Sequence, residues 1–198
     1  MFDIMLSYVS HFVKLFDTIF IPWYNEASKN LGGDLLDREQ SITAAIAFRC
    51  PRYRELPDMG LYLEQVLNLV NTALSPIQSE PLTGAMISNY VKNKAIPAPE
   101  KKKYSRDHLA YLIVTCLMKQ VFTVHQIARF FEIQRSTYPL EKAYDYFCSE
   151  YENALNSAFC FTGQAMPCIE TKRTEQTILV RSIVLAAANR VYAEKTYF

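Results

Sequence analysis

The chain has 198 residues, half of them hydrophobic, with 21 basic side chains, 20 acidic ones and only five glycines. A chain of this length can bury roughly 70 per cent of the surface its unfolded form exposes, so one real core is available, and the composition excludes a disordered protein. A net charge of +1 carries no argument about partners; only the local distribution of charge does.

Along residues 1–24, Ile4, Tyr8, Phe12, Leu15, Phe16 and Ile19 fall on one helical stripe. Asp3, Lys14 and Asp17 interrupt the run, so no clean apolar span of about 20 residues remains for a transmembrane helix. A signal peptide is not expected either, because a basic n-region and a small-residue cleavage site are lacking. The segment reads as an amphipathic helix packed on the core, and the single lysine on its polar face argues against membrane-surface binding. LGGD at 31–34 reads as a break, followed by a second amphipathic pattern in Leu35, Ile42, Ala45 and Ile46. CPRYRELPD, 50–58, contains two prolines and reads as a linker.

GLYLEQVLNLVNTAL, 60–74, is a helix with Leu63, Val66, Leu67, Val70 and Leu74 on one face, closed by Pro76 and Pro81. Thr83 can cap a short helix over 83–94 whose inner face is Met86, Ile87, Tyr90 and Val91. Its outer face carries Ser88, Asn89, Lys92 and Asn93. IPAPEKKKY cannot be helical through its prolines and reads as an extended hairpin or arm. Ser105 then caps DHLAYLIVTCLMKQV, apolar nearly all round and therefore the centre of the core. Thr123 and Gln126 form a T-x-x-Q capping box for VHQIARFFEI. QRSTYP reads as a loop, and 140–159 and 174–195 as two longer helices around a TGQAMPC loop. The apolar run 178–188 is too short to span a bilayer.

Five cysteines (Cys50, Cys116, Cys148, Cys160, Cys168) in an odd set with no C-x-x-C spacing fit buried free thiols in a reducing cytoplasm. With only His11, His108 and His125 beside them, no metal site and no cofactor are expected. His108 and His125 read as exposed or capping side chains, and Cys116, on the most apolar helix, as inert. Paired carboxylates, G-x-S-x-G and a phosphate-cradling glycine loop are all missing, so no enzyme activity is expected.

Charge is concentrated in one place. Residues 86–106, MISNYVKNKAIPAPEKKKYSR, hold six basic residues and one acidic one, which makes them +5 and the remainder of the +1 chain −4. A short helix with small polar side chains outward can lie in a major groove about 12 Å wide and face base edges. An arm bearing Lys101, Lys102 and Lys103 would reach flanking phosphates and release counterions. Tyr90 and Tyr104 could offer hydroxyls to phosphate while their rings stay in the core.

These residues resemble two described patterns. LTGAMISNYVK, KAIPAP, KKYSRDHL and VFTVHQIARFF are similar to the winged helix-turn-helix of MerR-type (mercury-resistance-type) regulators. That pattern has an Arg in its recognition helix where Ser88 stands here, a longer wing, and a Gly at the position of Val121. GLYLEQV, LTGAMISNYVK, PAPEKKKY and HLAYLIVTCLMKQV resemble still more closely a bacterial family catalogued as a domain of unknown function, over roughly 54–133. The resemblance implies a regulator-type fold, all-α, with a winged helix-turn-helix core at 54–133. Residues 1–53 would be a helical extension and 134–198 C-terminal helices for support, dimerisation or signal sensing, the whole forming one unit.

The function expected is that of a cytoplasmic, sequence-specific regulator binding double-stranded DNA, a repressor rather than an activator. Its contacts would be Thr83, Ser88, Asn89, Tyr90, Lys92, Asn93 and Lys94 from the short helix, and Lys101, Lys102, Lys103, Tyr104 and Arg106 from the arm at 97–106. A homodimer through 140–195 suits a palindromic site, with any effector unidentified. The alternative is a protein-interaction module that sets the same arm against an acidic partner.

Overall fold

Eleven consecutive buried positions, 108 to 118, form the centre of the molecule. The structure is a computed structural model and describes residues 32–159, 169 and 174–198. The helix expected over 1–24, the TGQAMPC loop, Cys160 and Cys168 lie outside the described residues. The chain divides into two compact units, Met1–Ser41 and Ile42–Phe198. The second contains every buried core residue among those described.

All regular elements among the described residues are helical. In chain order they are α1 (Gly32–Ile46), a 3-10 turn (Tyr53–Glu55), α2 (Leu63–Leu74), α3 (Gly84–Lys92), α4 (Arg106–Met118), α5 (Val124–Thr137), α6 (Leu140–Phe159) and α7 (Glu175–Tyr197). α2, α6 and α7 pack on α4, α5 and the 3-10 turn pack on α6, and α6 lies along α7. α4 needs no amphipathic pattern because neighbours cover it all round. An aromatic chain extends the core outward from it, through Tyr111 against Phe131 at 4.8 Å, Phe130 against Phe147 at 5.9 Å and Phe147 against Tyr151 at 6.4 Å. No described helix is long and apolar enough to cross a membrane.

Several boundaries differ from the sequence reading, each for a local reason. LGGD is no break: α1 begins at Gly32 and carries both glycines in its first turn. Ile46, expected inward, is 43% exposed, while Ala45 is fully buried. QRSTYP is helical through Thr137, because the Ser136 and Thr137 hydroxyls donate to the Ile133 carbonyl and the Arg135 Nε donates to Phe131 O. Pro139 then makes continuation unfavourable. α3 is shorter than 83–94: Asn93 is its C-cap and Lys94 has left the helix.

The largest difference is at 49–58, which is a packed strap rather than a linker. Arg52 grips Glu152 of α6 with two hydrogen bonds of 2.7 Å, and the Cys50 N–H donates to the same carboxylate at 2.8 Å. The Tyr53 N–H donates to Asp145 and Arg54 pairs with Glu141, so the strap is fastened along α6. Its far end holds the start of α4, where Arg106 Nε donates to Leu56 O at 2.9 Å and the Tyr53 hydroxyl donates to Asp107. Two prolines keep 50–58 out of a long helix, and the freed side chains carry the packing.

Candidate nucleic-acid interface

α3 is placed by three devices. Thr83 Oγ1 accepts from the Met86 N–H and caps its start. The nine-residue connection 75–83 is clamped by Asn71, which donates to Leu82 O at 3.0 Å and accepts from the Leu82 N–H at 2.7 Å. Ile87 and Tyr90 bury its inner face, whereas Ser88, Asn89 and Lys92 are exposed. Met86 and Val91, expected inward, are half-buried against the core.

The exposed polar groups are partly occupied within the helix. Ser88 Oγ donates to Gly84 O at 3.0 Å, and Asn93 Nδ2 donates to both Asn89 O and Asn89 Oδ1. Asn89 therefore keeps its own amide N–H groups available, and Ser88 its oxygen lone pairs. One donor and one acceptor on adjacent outward positions could distinguish base edges.

α3 ends in a Schellman arrangement, with Ala95 N–H donating to Tyr90 O and Lys94 N–H to Val91 O, both at 3.0 Å. The left-handed position of that motif, where glycine is usual, is Lys94 at φ 58°. From there Ala95 and Ile96 plunge into the core and Pro97 returns to the surface.

The arm is a two-residue hairpin turn. Glu100 and Lys103 exchange two backbone hydrogen bonds of 3.1 and 2.8 Å around Lys101 (φ 49°) and Lys102 (φ 64°). Two successive positive φ values define a type I′ turn, whose usual sequence is Asn-Gly. Lys94, Lys101 and Lys102 are the non-glycine residues with positive φ among the described residues. Each left-handed residue with a side chain costs about 1–2 kcal/mol. Lysine thus stands at three positions where backbone energy alone favours glycine or asparagine.

The root of the arm is fixed. Leu61 and Tyr104 exchange hydrogen bonds of 2.9 and 2.8 Å, tying the arm to the entry of α2. His108, in the first turn of α4, accepts the Ser105 N–H at Nδ1, which leaves Nε2 as the donor to Ala98 O at 3.2 Å. The histidine caps as expected but is buried, so it also latches the proline segment to α4. Burial pushes the Tyr90 hydroxyl up to about 12 and raises that of Tyr104, so both remain protonated donors at neutral pH.

The structure gives the basic side chains different duties. Lys103 lies over Gly60, where an added Cβ would come within 3.1 Å of the lysine Cβ, and its Nζ sits 5.5 Å above the Tyr62 ring. Arg106 is turned to the strap, with Leu56 O, the Tyr53 ring and Asp58 at 3.6 Å as partners. Lys92, Lys94, Lys101 and Lys102 are exposed, and none of the four is ion-paired among the described residues. Sequence reasoning named these residues but missed the positive φ values, because no glycine or asparagine signals them.

A concave feature lies apart from these residues, between α4, α5, α6 and α7. It is a cavity of about 290 Å³ lined chiefly by aromatic and aliphatic side chains, among them Tyr111, Phe130, Phe131 and Phe147, with Lys142 as its one charged lining residue. Such a lining suits an apolar guest rather than proton transfer. Among the described residues no group of three or more His, Cys, Asp or Glu is placed to hold a metal ion.

No curated protein and no solved structure matches the chain. Residues 51–147 match the family described as Domain of unknown function (DUF1836). The match takes in most of the strap, the candidate interface and the first part of α6, 97 of the 198 residues.

Proposed function

We propose that the protein is a sequence-specific regulator of transcription that binds double-stranded DNA, with α3 in the major groove and the 97–106 arm along flanking phosphates. What supports the reading is an order of elements, α2, clamped turn, capped α3, basic hairpin, buried α4, turn and α5, that resembles a MerR-type winged helix-turn-helix. The observation that carries it is the set of exposed lysines without carboxylate partners at the end of α3 and on the hairpin that follows it. Three of them, Lys94, Lys101 and Lys102, stand where the backbone disfavours any side chain. Retaining charge against a conformational cost points to a polyanion as the partner.

A nine-residue helix and one hairpin offer few base contacts. A two-fold homodimer would double them and place two arms on a palindromic site. Binding to fragments of the source genome, followed by fluorescence anisotropy over a salt series, tests the proposal. The wild-type protein should select a subset of fragments, with affinity falling steeply as salt rises. Replacing Lys94, Lys101 and Lys102 with Ala should lower the salt slope by up to about one unit for each lost phosphate contact. Asn89→Ala should change which fragments are selected while leaving the slope in place. Absence of salt-dependent DNA binding would overturn the reading in favour of an acidic protein partner.

A further inference from the structure

Cys50 and Cys148 are 98 positions apart in the chain, yet their Sγ atoms approach to 3.0 Å. Cys50 enters the strap, Cys148 lies on the inner face of α6, and neither has any solvent exposure. A disulfide bond is ~2.05 Å long, so about 1 Å of approach remains, within reach of small side-chain rotations. Both backbones are already held. The Cys50 N–H donates to Glu152, Arg52 clamps the same carboxylate, and the Tyr144 hydroxyl donates to Pro51 O at 2.8 Å while lying 3.7 Å from Cys50 Sγ. The folding of the strap therefore brings two thiols together without help from a covalent bond.

We propose that Cys50 and Cys148 form a reversible intramolecular disulfide when a low-molecular-weight disulfide such as glutathione disulfide is the oxidant. One cysteine, as thiolate, attacks the glutathione S–S bond, forms a mixed disulfide and releases one glutathione. The other then attacks the protein sulfur of that mixed disulfide and releases the second glutathione. The two thiol protons end on the two glutathiones, the protein pair is oxidised by two electrons, and glutathione disulfide is reduced. Burial raises the Cys148 thiol well above its usual range, so the folded, closed strap exchanges slowly and the reaction passes through its local opening. The position of equilibrium is set by the native approach of the sulfurs. Oxidation would pin the strap to α6, and with it the Leu56 and Tyr53 contacts that hold Arg106 and Asp107 at the root of the arm. Nothing in this depends on what the arm binds.

The test is refolding of the reduced, unfolded full-length chain in glutathione buffers of graded redox ratio, followed by alkylation and peptide mapping. Unfolding exposes every thiol, so access does not limit the outcome and the native geometry selects the partner. A single dominant Cys50–Cys148 cross-link is expected, persisting in buffers roughly 100-fold more reducing than an unconstrained thiol pair tolerates. The melting temperature should rise by about 5–10 °C over the reduced protein, a rise absent in Cys148→Ser. Should Cys148→Ser fail to fold, the wild-type peptide map decides alone. Free Cys50 and Cys148 in the oxidatively refolded protein, or their indiscriminate pairing with Cys116, Cys160 or Cys168, would overturn the proposal.

Discussion

Residues 49–58 and 92–105 are both short connections containing two prolines and several basic side chains, and they use that charge in opposite ways. In the first, Arg49 pairs with Glu55, Arg52 with Glu152 and Arg54 with Glu141. In the second, five lysines have no ion-pair partner among the described residues, and three of them occupy the left-handed region. The guanidinium fork suits bidentate pairing with a carboxylate, whereas an ammonium on a flexible stem is a mobile point charge. Similar composition thus divides into a structural clamp and an uncommitted cationic surface.

The sharpest way to break this comparison is at the clamp. Glu152→Ala removes the partner of Arg52 and the acceptor of the Cys50 N–H together, at a site where both side chains are half-buried. Chemical denaturation should show a loss of about 2–4 kcal/mol. The salt slope of the proposed DNA binding should stay unchanged in the protein that remains folded.

The arm should behave in reverse. Lys101→Asn combined with Lys102→Gly supplies the usual residues of the type I′ turn, so denaturation should report a gain of about 1 kcal/mol. The same variant should lose about two units of salt slope. A stability loss instead would mean that the lysines serve the fold, and the contrast between the two segments would collapse.

The smallest effect lies at the exposed end of the strap. Hydrogen bonds from the Arg49 side chain, and next from the Arg52 N–H, lower the Glu55 carboxyl from 4.5 to about 2. Because the folded value is depressed, the stabilisation is present above about 4.5 and is lost as pH falls towards 2. Thermal melts should show the advantage of wild type over Glu55→Gln shrinking across that window and constant above it. Exposure of the pair to solvent keeps its effect on stability small.

How much of this was legible depends on the range of the forces involved. The buried body of α4, the capped starts at Thr83 and Thr123, and the face of α2 are written in spacings of three and four residues, and they stand where the sequence puts them, although α4 stops at Met118, short of the Val121 expected. The continuation of α5 through 134–137 was hidden, because polar residues read as a loop unless their hydroxyls turn back to the helix carbonyls. The lysines of the candidate interface were visible as charge. The backbone strain of three of them was not, since it arises at Lys94 from the end of α3 and at Lys101 and Lys102 from closing the arm between Glu100 and Lys103 over a root fixed to Leu61.

The sequence by itself determined the helical class of the described residues, the most buried helix among them, the resemblance of the central segment to a family of unknown function and the place where positive charge collects. These depend on periodicity, capping and composition, which act over a few residues. Tertiary structure alone decided that CPRYRELPD is a clamp, that Arg106 faces the strap while Lys101 and Lys102 face outward, and that Cys50 meets Cys148. Each of those outcomes joins groups 50 to about 100 positions apart. Such pairings are fixed by how helices pack around α4, and no local pattern in the chain encodes them.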